Sequence, residues 1–319
     1  MKTSEVSKLQ VAVCIASFRR PDRLAVLLVS LARQRFSQVP APDWRVIVID
    51  NDADGSARPA CDAFTAVRLD YVREPRQGLS YARNAAIVAA LDLDVLAFID
   101  DDEIASEQWL DSLLKVRADS GAEAVVGSVT YVLPETAPAW VQRGGFFKSL
   151  PLLGDGTEAL ARGSHNLMLA CDFLRRSGMR FDLRFNRAGG EDEFFFRTAI
   201  RAHGLRVAAA PAAVVEETVP ANRVTLGWLL RRKFRYGNTL ARCEVLHHAG
   251  AGSLLVRAMK GAGRMMMGVV IAAAGCVTIR ADRTASGLAM SSFGLGMIAG
   301  LGGFTQESYT PDIMKAETV

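Results

Sequence analysis

Short apolar runs alternate with amphipathic stretches along the first 130 residues of the chain. Five apolar runs have the length and composition of buried strands: 11–16, 45–49, 69–72, 95–99 and 124–129. Four intervening stretches are amphipathic or alanine-rich and read as helices: 21–34, 56–64, 79–91 and 106–118. This alternation predicts an α/β fold in which a mostly parallel sheet is flanked by helices, with ligands bound outside the carboxyl ends of the strands.

The pattern changes after residue 133, where prolines and glycines mark a long irregular region to about residue 163. Loops of this length in compact domains are typical of binding segments or of disordered segments. Regular structure resumes at 165–170, and residues 191–203 form a strong helical pattern. A shift in composition near Pro220 predicts two units, residues 1–219 and residues 220–319.

The second unit is basic at its start and apolar afterwards. Residues 223–242 combine Trp, Leu and Phe with Arg and Lys, as in a helix at a membrane surface. Residues 265–279 are uncharged but short for a membrane crossing, whereas 284–306 are uncharged over 23 residues that include six glycines. We expect peripheral or monotopic association of residues 223–306 with an anionic membrane surface; amphipathic packing within the protein is the alternative.

Composition and charge exclude several classes of protein. The chain has 319 residues, half of them apolar, and its net charge of +4 is too small to indicate nucleic acid as a partner. Five scattered cysteines form no CxxC pair, which argues against a disulfide framework or a zinc site. The first apolar run is too brief for a signal peptide, so we expect the protein to remain in the cytoplasm.

Four consecutive acids, from Asp100 to Glu103, end the apolar run at 95–99. Carboxylates crowded at the end of a strand repel one another unless a positive charge lies there. Mg²⁺ and Mn²⁺ prefer carboxylate oxygens, and Mg²⁺ is commonly held by one or two carboxylates together with substrate phosphates. The tract therefore predicts a nucleotide substrate with a divalent cation; an acidic turn that caps the next helix is the alternative.

Five segments together carry a resemblance to a known family. They are Ile15-Ala16-Ser17-Phe18-Arg19-Arg20-Pro21, Val48-Ile49-Asp50-Asn51-Asp52, Gly78-Leu79-Ser80-Tyr81-Ala82-Arg83-Asn84, Phe98-Ile99-Asp100-Asp101-Asp102-Glu103 and Gly189-Gly190-Glu191-Asp192-Glu193. In this order, across residues 10–210, they resemble the inverting family 2 glycosyltransferases of GT-A fold. The basic region from Val219 to Thr239 is similar to the subgroup that builds bacterial surface polysaccharides, including succinoglycan-type glucosyltransferases.

The resemblance implies roles for the acids. Asp102 corresponds to the last aspartate of the DxD motif, which binds the metal that bridges the diphosphate. Asp100 and Asp101 then face the ribose or the waters of the metal, and Asp100 is a second metal ligand. Asp192 corresponds to the catalytic base, which removes the proton of the acceptor hydroxyl. Helix capping is the competing role for Asp192 and for Glu191 beside it.

The resemblance also implies a nucleotide pocket. Asp50, Asn51 and Asp52 match the segment that hydrogen-bonds the base, although many members have Asp where this chain has Asn51. Phe18 matches an aromatic position that stacks on the base; an ordinary core phenylalanine is the alternative.

Three further groups are assigned to the same site. Arg83 and Asn84 open a helix face near the pocket and are expected to reach phosphate or ribose, with a surface salt bridge as the alternative for Arg83. His165, Asn166 and Glu191 are candidates for contact with the donor or acceptor sugar. A structural hydrogen bond is the competing role for His165.

The resemblance predicts a metal-dependent enzyme at the cytoplasmic face of the inner membrane. The expected enzyme transfers a hexose, namely glucose from UDP-glucose, with inversion onto a polyprenyl-linked oligosaccharide. Its expected cofactor is Mg²⁺ or Mn²⁺. Two alternatives remain: a phosphohydrolase of nucleotide diphosphates, for which no second cluster of ligands is evident, and a non-catalytic membrane adaptor, which leaves the acidic tract unexplained. A Rossmann oxidoreductase is excluded because the glycine fingerprint after the first strand is missing.

Overall fold

The computed structural model describes residues 8–148, 165–186, 188–247 and 250–306. Within these ranges eight strands form one sheet: β1 (Gln10–Ser17), β2 (Asp43–Asp50), β3 (Leu69–Arg73), β4 (Val95–Phe98), β5 (Glu103–Ala105), β6 (Ala124–Val132), β7 (Leu167–Ala170) and β8 (Val207–Thr218). Their order is β3-β2-β1-β4-β7-β6-β8-β5. The first four strands are parallel, as the sequence predicts, whereas β7 runs antiparallel to β4 and β6, so the complete sheet is mixed.

The described helices are α1 (Pro21–Leu31), α2 (Arg58–Asp62), α3 (Leu79–Ala90), α4 (Trp109–Ser120), α5 (Ala139–Gly144), α6 (Cys171–Ser177), α7 (Glu191–His203), α8 (Leu226–Leu246), α9 (Ala251–Val277) and α10 (Ala281–Leu301). One core cluster packs α3, α6 and α7 against one face of the sheet. A second packs α1 and α4 against the opposite face. The leucines of α1 recur at helical spacing, and all of them face this second core.

Strand register brings the candidate residues to one edge of the sheet. Ser17, the last residue of β1, lies opposite Asp50, the last residue of β2. On the other side of β1, Cys14 lies opposite Phe98, so the acids that follow β4 emerge beside the end of β1. The elements that the sequence predicts thus converge at the carboxyl ends of parallel strands, where ligands of α/β folds bind.

Strand β8 has no clear signal in the sequence, because it is rich in alanine and contains Pro211. The register of β6 with β8 shifts between Gly127 and Ser128, which pair with Ala210 and Val214. Pro211 therefore lies in a bulge, where its missing N–H removes no ladder hydrogen bond.

Helices α8, α9 and α10 pack closely, with α10 between the other two. Glycines allow this approach: a Cβ on Gly296 would overlap the Phe234 carbonyl of α8, and one on Gly287 would overlap the Gly268 carbonyl of α9. Both α9 and α10 are long and apolar enough to cross a membrane by length and composition, with mean hydropathies of 1.2 and 1.3. A large part of the outer surface of α9 is apolar and exposed, including Val270 at 63% exposure.

Candidate active site

The acidic tract forms a closed turn at the sheet edge. The Glu103 amide donates to the Asp100 carbonyl at 3.1 Å, and the Asp100 amide donates to Glu103 Oε2 at 3.0 Å. The Asp100 side chain is 43% exposed, whereas that of Asp102 is 12% exposed. Asp100 is therefore the most exposed carboxylate of the turn, and Asp102 is only slightly exposed.

Arginines at the start of α1 oppose this negative charge. Arg20, the residue before α1, lies 3.3 Å from Asp102, and Arg23 lies 3.5 Å from the same carboxylate oxygen. Neither arginine has a role predicted from the sequence, although the start of α1 soon after β1 is a usable signal. Positive side chains beside a cluster of acids lower its repulsion and add attraction for an anionic ligand.

Asp101 connects the acidic turn to β1. Its side chain is buried, accepts a hydrogen bond from the Ser17 hydroxyl at 2.9 Å and lies 3.4 Å from Arg20. Burial, opposed by Arg20 and assisted by Asp102, raises the pKa of Asp101 to about 7. Asp101 thus ties the end of β4 to the end of β1, and its contact with the ribose or the waters of a metal stays a prediction.

The turn suits a cation that is shared with a ligand. No group of three His, Cys, Asp or Glu side chains converges on a metal position among the described residues. Asp100 and Asp102 supply hard oxygen donors, the class that Mg²⁺ and Mn²⁺ prefer. A cation there would take its remaining ligands from water and from substrate phosphates.

Two residues of the expected base pocket are structural. Asp50 is fully buried and accepts hydrogen bonds from the Ala57 amide at 2.8 Å and the Tyr71 hydroxyl at 2.9 Å. The Asn51 amide donates to the carbonyls of Glu74 and Arg76 and accepts from the Gly78 amide. These contacts use their polar atoms within the protein, and contact of Asp50 and Asn51 with the base stays a prediction.

Arg19 contacts both Asp52 and Phe18. Asp52 is buried, and both of its oxygens accept hydrogen bonds from Arg19 at 3.3 Å. The same guanidinium lies 5.2 Å from the centre of the partly buried Phe18 ring. Arg19 itself is about half exposed, so a base that stacks on Phe18 would meet Arg19 and reach Asp52 only through it.

Arg83 is the central cation of the site. It is buried, forms a hydrogen-bonded ion pair with Glu191 and lies 3.8 Å from Asp100. This burial excludes a surface salt bridge. Its neighbour Asn84 donates to the Phe181 carbonyl at 2.9 Å and accepts from the Phe181 amide at 2.8 Å. Contact of Asn84 with phosphate or ribose stays a prediction.

A turn made of two glycines directly precedes Glu191 and Asp192. Gly189 and Gly190 have φ angles of +72° and +89°, a region that disfavours other residues. Glu191 follows as a buried residue, and burial, together with the adjacent Asp192 and against Arg83, raises its pKa to about 7. Asp192 is partly exposed and accepts a hydrogen bond from the Glu193 amide at 2.7 Å, so it lies at the surface of the site.

His165 and Asn166 have separate roles. His165 Nδ1 lies 2.8 Å from Glu103 and so braces the acidic turn. Burial lowers the pKa of this imidazole, but Glu103 and Asp100 outweigh burial and raise it to about 10. Asn166 is fully buried, accepts from Trp109 Nε1 and donates to the carbonyls of Ser128 and Ala213. Its contact with a sugar stays a prediction.

The model of glycosyl transferase family 2 matches residues 12–180, more than half of the chain, and the matched range contains the acidic turn. The chain belongs to glycosyl transferase family 2. The family resemblance and the GT-A-like α/β fold are confirmed. The matched range ends before Glu191, so the assignment of Asp192 as base stays a prediction that depends on geometry.

Members and structural neighbours of this family cover most of the chain. Succinoglycan biosynthesis protein ExoM of Rhizobium meliloti (strain 1021) is 38% identical over 242 residues, which is 75% of this chain and 76% of ExoM. S. aureus TarS 1–349 in complex with UDP superposes with a TM-score of 0.51 at 15% identity, over 93% of this chain and 92% of that chain. Mannosyltransferase PcManGT from Pyrobaculum calidifontis, in complex with GDP-Man and Mn²⁺, superposes with a TM-score of 0.54 at 19% identity, over 90% of this chain and 88% of that chain.

Proposed function

We propose that this family 2 glycosyltransferase is a metal-dependent, inverting hexosyltransferase that moves glucose from UDP-glucose to a lipid-linked oligosaccharide. One observation carries the proposal: the buried Arg83 contacts both Asp100 of the acidic turn and Glu191, the neighbour of Asp192. The donor side and the expected base therefore belong to one site. The proposal assigns catalysis to residues 1–219 and membrane contact to residues 220–319.

The reaction that we propose is a single displacement at the anomeric carbon. The acceptor hydroxyl oxygen attacks this carbon, and the Asp192 carboxylate takes the hydroxyl proton. The bond between the anomeric carbon and the diphosphate oxygen breaks, and its electron pair leaves with UDP. A divalent cation held by Asp102 and Asp100 would supply positive charge to the departing diphosphate.

Other residues of the chain position these groups. Arg83 holds Glu191 and Asp100 together, and as a buried guanidinium it adds positive charge beside the leaving diphosphate. Glu103 and His165 fix the backbone of the acidic turn. Phe18 supplies a ring against which the base stacks, with Arg19 beside it.

The relatives support the donor and the pathway that we propose. TarS has been solved with UDP, which favours a uridine nucleotide, and PcManGT has been solved with Mn²⁺, which favours a divalent cation. The similarity to ExoM favours a role in succinoglycan-type surface polysaccharide synthesis, where a polyprenyl-linked saccharide would be the acceptor. The exposed apolar face of α9 and the basic start of α8 would bind the cytoplasmic face of the inner membrane.

A screen of nucleotide sugars tests the proposal. The full-length protein is incubated with UDP-glucose, UDP-galactose, UDP-GlcNAc or GDP-mannose, with Mg²⁺ or Mn²⁺, and with bacterial membrane lipid extract as acceptor. We expect labelled glucose from UDP-glucose in the lipid fraction, and loss of that signal when EDTA removes the cation. Transfer from none of the four donors would overturn the proposal; transfer from another donor would replace glucose.

A further inference from the structure

One face of α8 carries aromatic rings around a single guanidinium. Trp228, Arg232 and Tyr236 are spaced four residues apart, so they lie on the same side of the helix. The Arg232 guanidinium lies 4.9 Å from the centre of the Trp228 ring and 5.4 Å from that of Tyr236, and its Nε donates to the Tyr236 hydroxyl at 2.7 Å. All three side chains are partly buried, so solvent reaches part of the cluster.

Two rings from the catalytic domain complete this cluster. Phe147 stacks on Trp228 with ring centres 5.8 Å apart, and Tyr131 of β6 meets Phe147 edge-on at 6.0 Å. Tyr131 lies directly opposite Glu217 in the pairing of β6 with β8. Five side chains from three separate segments thus form one surface, which we call the aromatic cluster: Tyr131, Phe147, Trp228, Arg232 and Tyr236.

Glu217 connects the aromatic cluster to the acidic turn. It lies opposite Glu103 in the pairing of β5 with β8, so its side chain and that of Glu103 project from the same face of the sheet. Glu103 directly follows Asp102 in the acidic turn, so Glu217 lies beside the turn that carries Asp102. Arg223 lies 3.5 Å from Glu217 and places a positive charge beside it.

The same face of α8 ends at the turn that carries the expected base. Thr239, three residues after Tyr236, lies where a side chain on Gly190 would be, so α8 touches the double-glycine turn. A rise of about 1.5 Å per residue puts Tyr236 about 4.5 Å from Thr239 along the helix axis. The aromatic cluster therefore lies between Glu217, near Asp102, and Gly190, near Asp192.

We propose that the aromatic cluster and Glu217 bind the acceptor saccharide, a pyranose whose apolar C–H groups lie against the rings and whose hydroxyls donate to Glu217. The inference rests on the proposed function, because it requires an acceptor that is activated by Asp192. Phe18 and Arg19 directly follow β1, which β4 and β7 separate from β6 and β8. The acceptor thus approaches from the side opposite the nucleotide, as displacement with inversion requires.

The chemistry of the aromatic cluster suits a neutral sugar better than a phosphate. Carbohydrate sites combine aromatic surface with a few fixed polar groups, and Arg232 is already hydrogen-bonded to Tyr236. The competing role is packing alone, since Tyr131 and Phe147 also contact a small apolar core around Val141 and Val219. An experiment must therefore separate loss of acceptor binding from loss of stability.

Trp228→Leu in the full-length protein tests the inference. We expect the amount of membrane lipid extract that half-saturates transfer from UDP-glucose to rise about tenfold, which is the upper range for a lost aromatic contact. The affinity for UDP, measured by calorimetry, stays at the wild-type value. Trp140→Leu is the matched control, because Trp140 contacts Phe146 in the same region but does not contact Arg232; it should leave half-saturation unchanged.

Glu217→Gln keeps the inference testable if Trp228→Leu unfolds. Glutamine has nearly the shape of glutamate, so the melting temperature should stay at the wild-type value. The amount of lipid extract that half-saturates transfer should rise. Wild-type half-saturation in Glu217→Gln, and in Trp228→Leu where that variant folds, with transfer intact, overturns the acceptor site and leaves the proposed function standing. Absence of transfer by the wild-type protein with every donor overturns both.

Discussion

Arg83 connects the two chemically distinct parts of the candidate site. It is buried between Asp100 and Glu191, and its guanidinium also lies 5.5 Å from the centre of the Phe181 ring. A buried ion pair contributes little net stability compared with apolar residues of the same size, but a single buried charge without its partner is costly. The contacts of Arg83 therefore fix where Glu191 and the adjacent Asp192 lie relative to the acidic turn.

Arg83→Met should destabilise the protein by about 3–5 kcal/mol, because it leaves Glu191 buried without its cation. The double variant Arg83→Met with Glu191→Met should recover most of that loss, since no buried charge remains. Chemical denaturation of the wild type, both single variants and the double variant provides the measurement. If the losses of unfolding free energy in the two single variants simply add in the double variant, the ion pair between Arg83 and Glu191 does not account for the cost of Arg83→Met.

Asp192→Asn should retain nucleotide binding and lose turnover, because an amide keeps the shape of the side chain but does not accept the acceptor proton. General-base catalysis typically contributes about 10² to 10⁴ in rate. Single-turnover transfer at saturating donor and acceptor measures the loss. Asp172→Asn, a change at an exposed acid of α6, is the control and should transfer at the wild-type rate. A wild-type rate for Asp192→Asn would exclude this residue as the base.

The sequence predicts the kind of residue at the site better than the direction of each side chain. Asp50, Asn51 and Asn166 stand at strand ends, as the sequence analysis expects, yet their polar atoms bind backbone or structural partners. A sequence reveals which polar side chains gather at an edge, but buried backbone groups also need partners, and those demands depend on the path of the loops. Glu217 was missed because its strand was missed.

At the scale of elements, the contact between α7 and α8 brings the aromatic cluster near the expected base. Gly190, the residue before α7, meets Thr239 of α8. Strands β1 to β4 and helices α1 to α4 were predictable from their apolar patterns, whereas the short β5 was not. Strand β8 and the antiparallel direction of β7 were not, since a bulge with Pro211 and a four-residue strand carry little pattern.

Gly190→Ala should cost more stability than Gly204→Ala. Both glycines have a positive φ, +89° and +64°, so each substitution incurs a left-handed penalty of about 1–2 kcal/mol. Only Gly190 faces a close neighbour: a Cβ there would overlap Thr239, which adds about 1–3 kcal/mol. Denaturant unfolding of both variants measures the difference. Thr239→Ser in the Gly190→Ala background should recover part of it; equal losses at the two glycines would contradict this helix contact.

At the scale of the whole molecule, the catalytic sheet, α8 and the α9–α10 hairpin form successive layers. Glu244 of α8 accepts a hydrogen bond from Arg257 of α9 at 2.6 Å and lies 3.4 Å from Arg201 of α7, so charged contacts join the hairpin to the catalytic helix. Because α10 is covered by α8 and α9, the apolar surface left for lipid lies mainly on α9.

Substitution of Met267 and Val270 by Glu should weaken binding to anionic lipid vesicles at least about tenfold, because each change removes an exposed apolar side chain and adds a repelled charge. Flotation with vesicles that contain phosphatidylglycerol measures this. Val88→Glu is the matched control: Val88 is 66% exposed, similar to Val270, but lies on α3 of the catalytic domain. Equal flotation of the wild type and the α9 variant would remove α9 as the membrane contact.

The central claim is that the acid-tipped edge of the sheet binds a nucleoside diphosphate together with a divalent cation. Calorimetric titration of UDP into the wild type and Asp102→Ala, each with and without Mn²⁺, tests it most directly. We predict that Mn²⁺ strengthens UDP binding to the wild type, and that this dependence disappears in Asp102→Ala, because the remaining acids repel the diphosphate without a bound cation. Unchanged affinity and unchanged metal dependence in Asp102→Ala would contradict the claim.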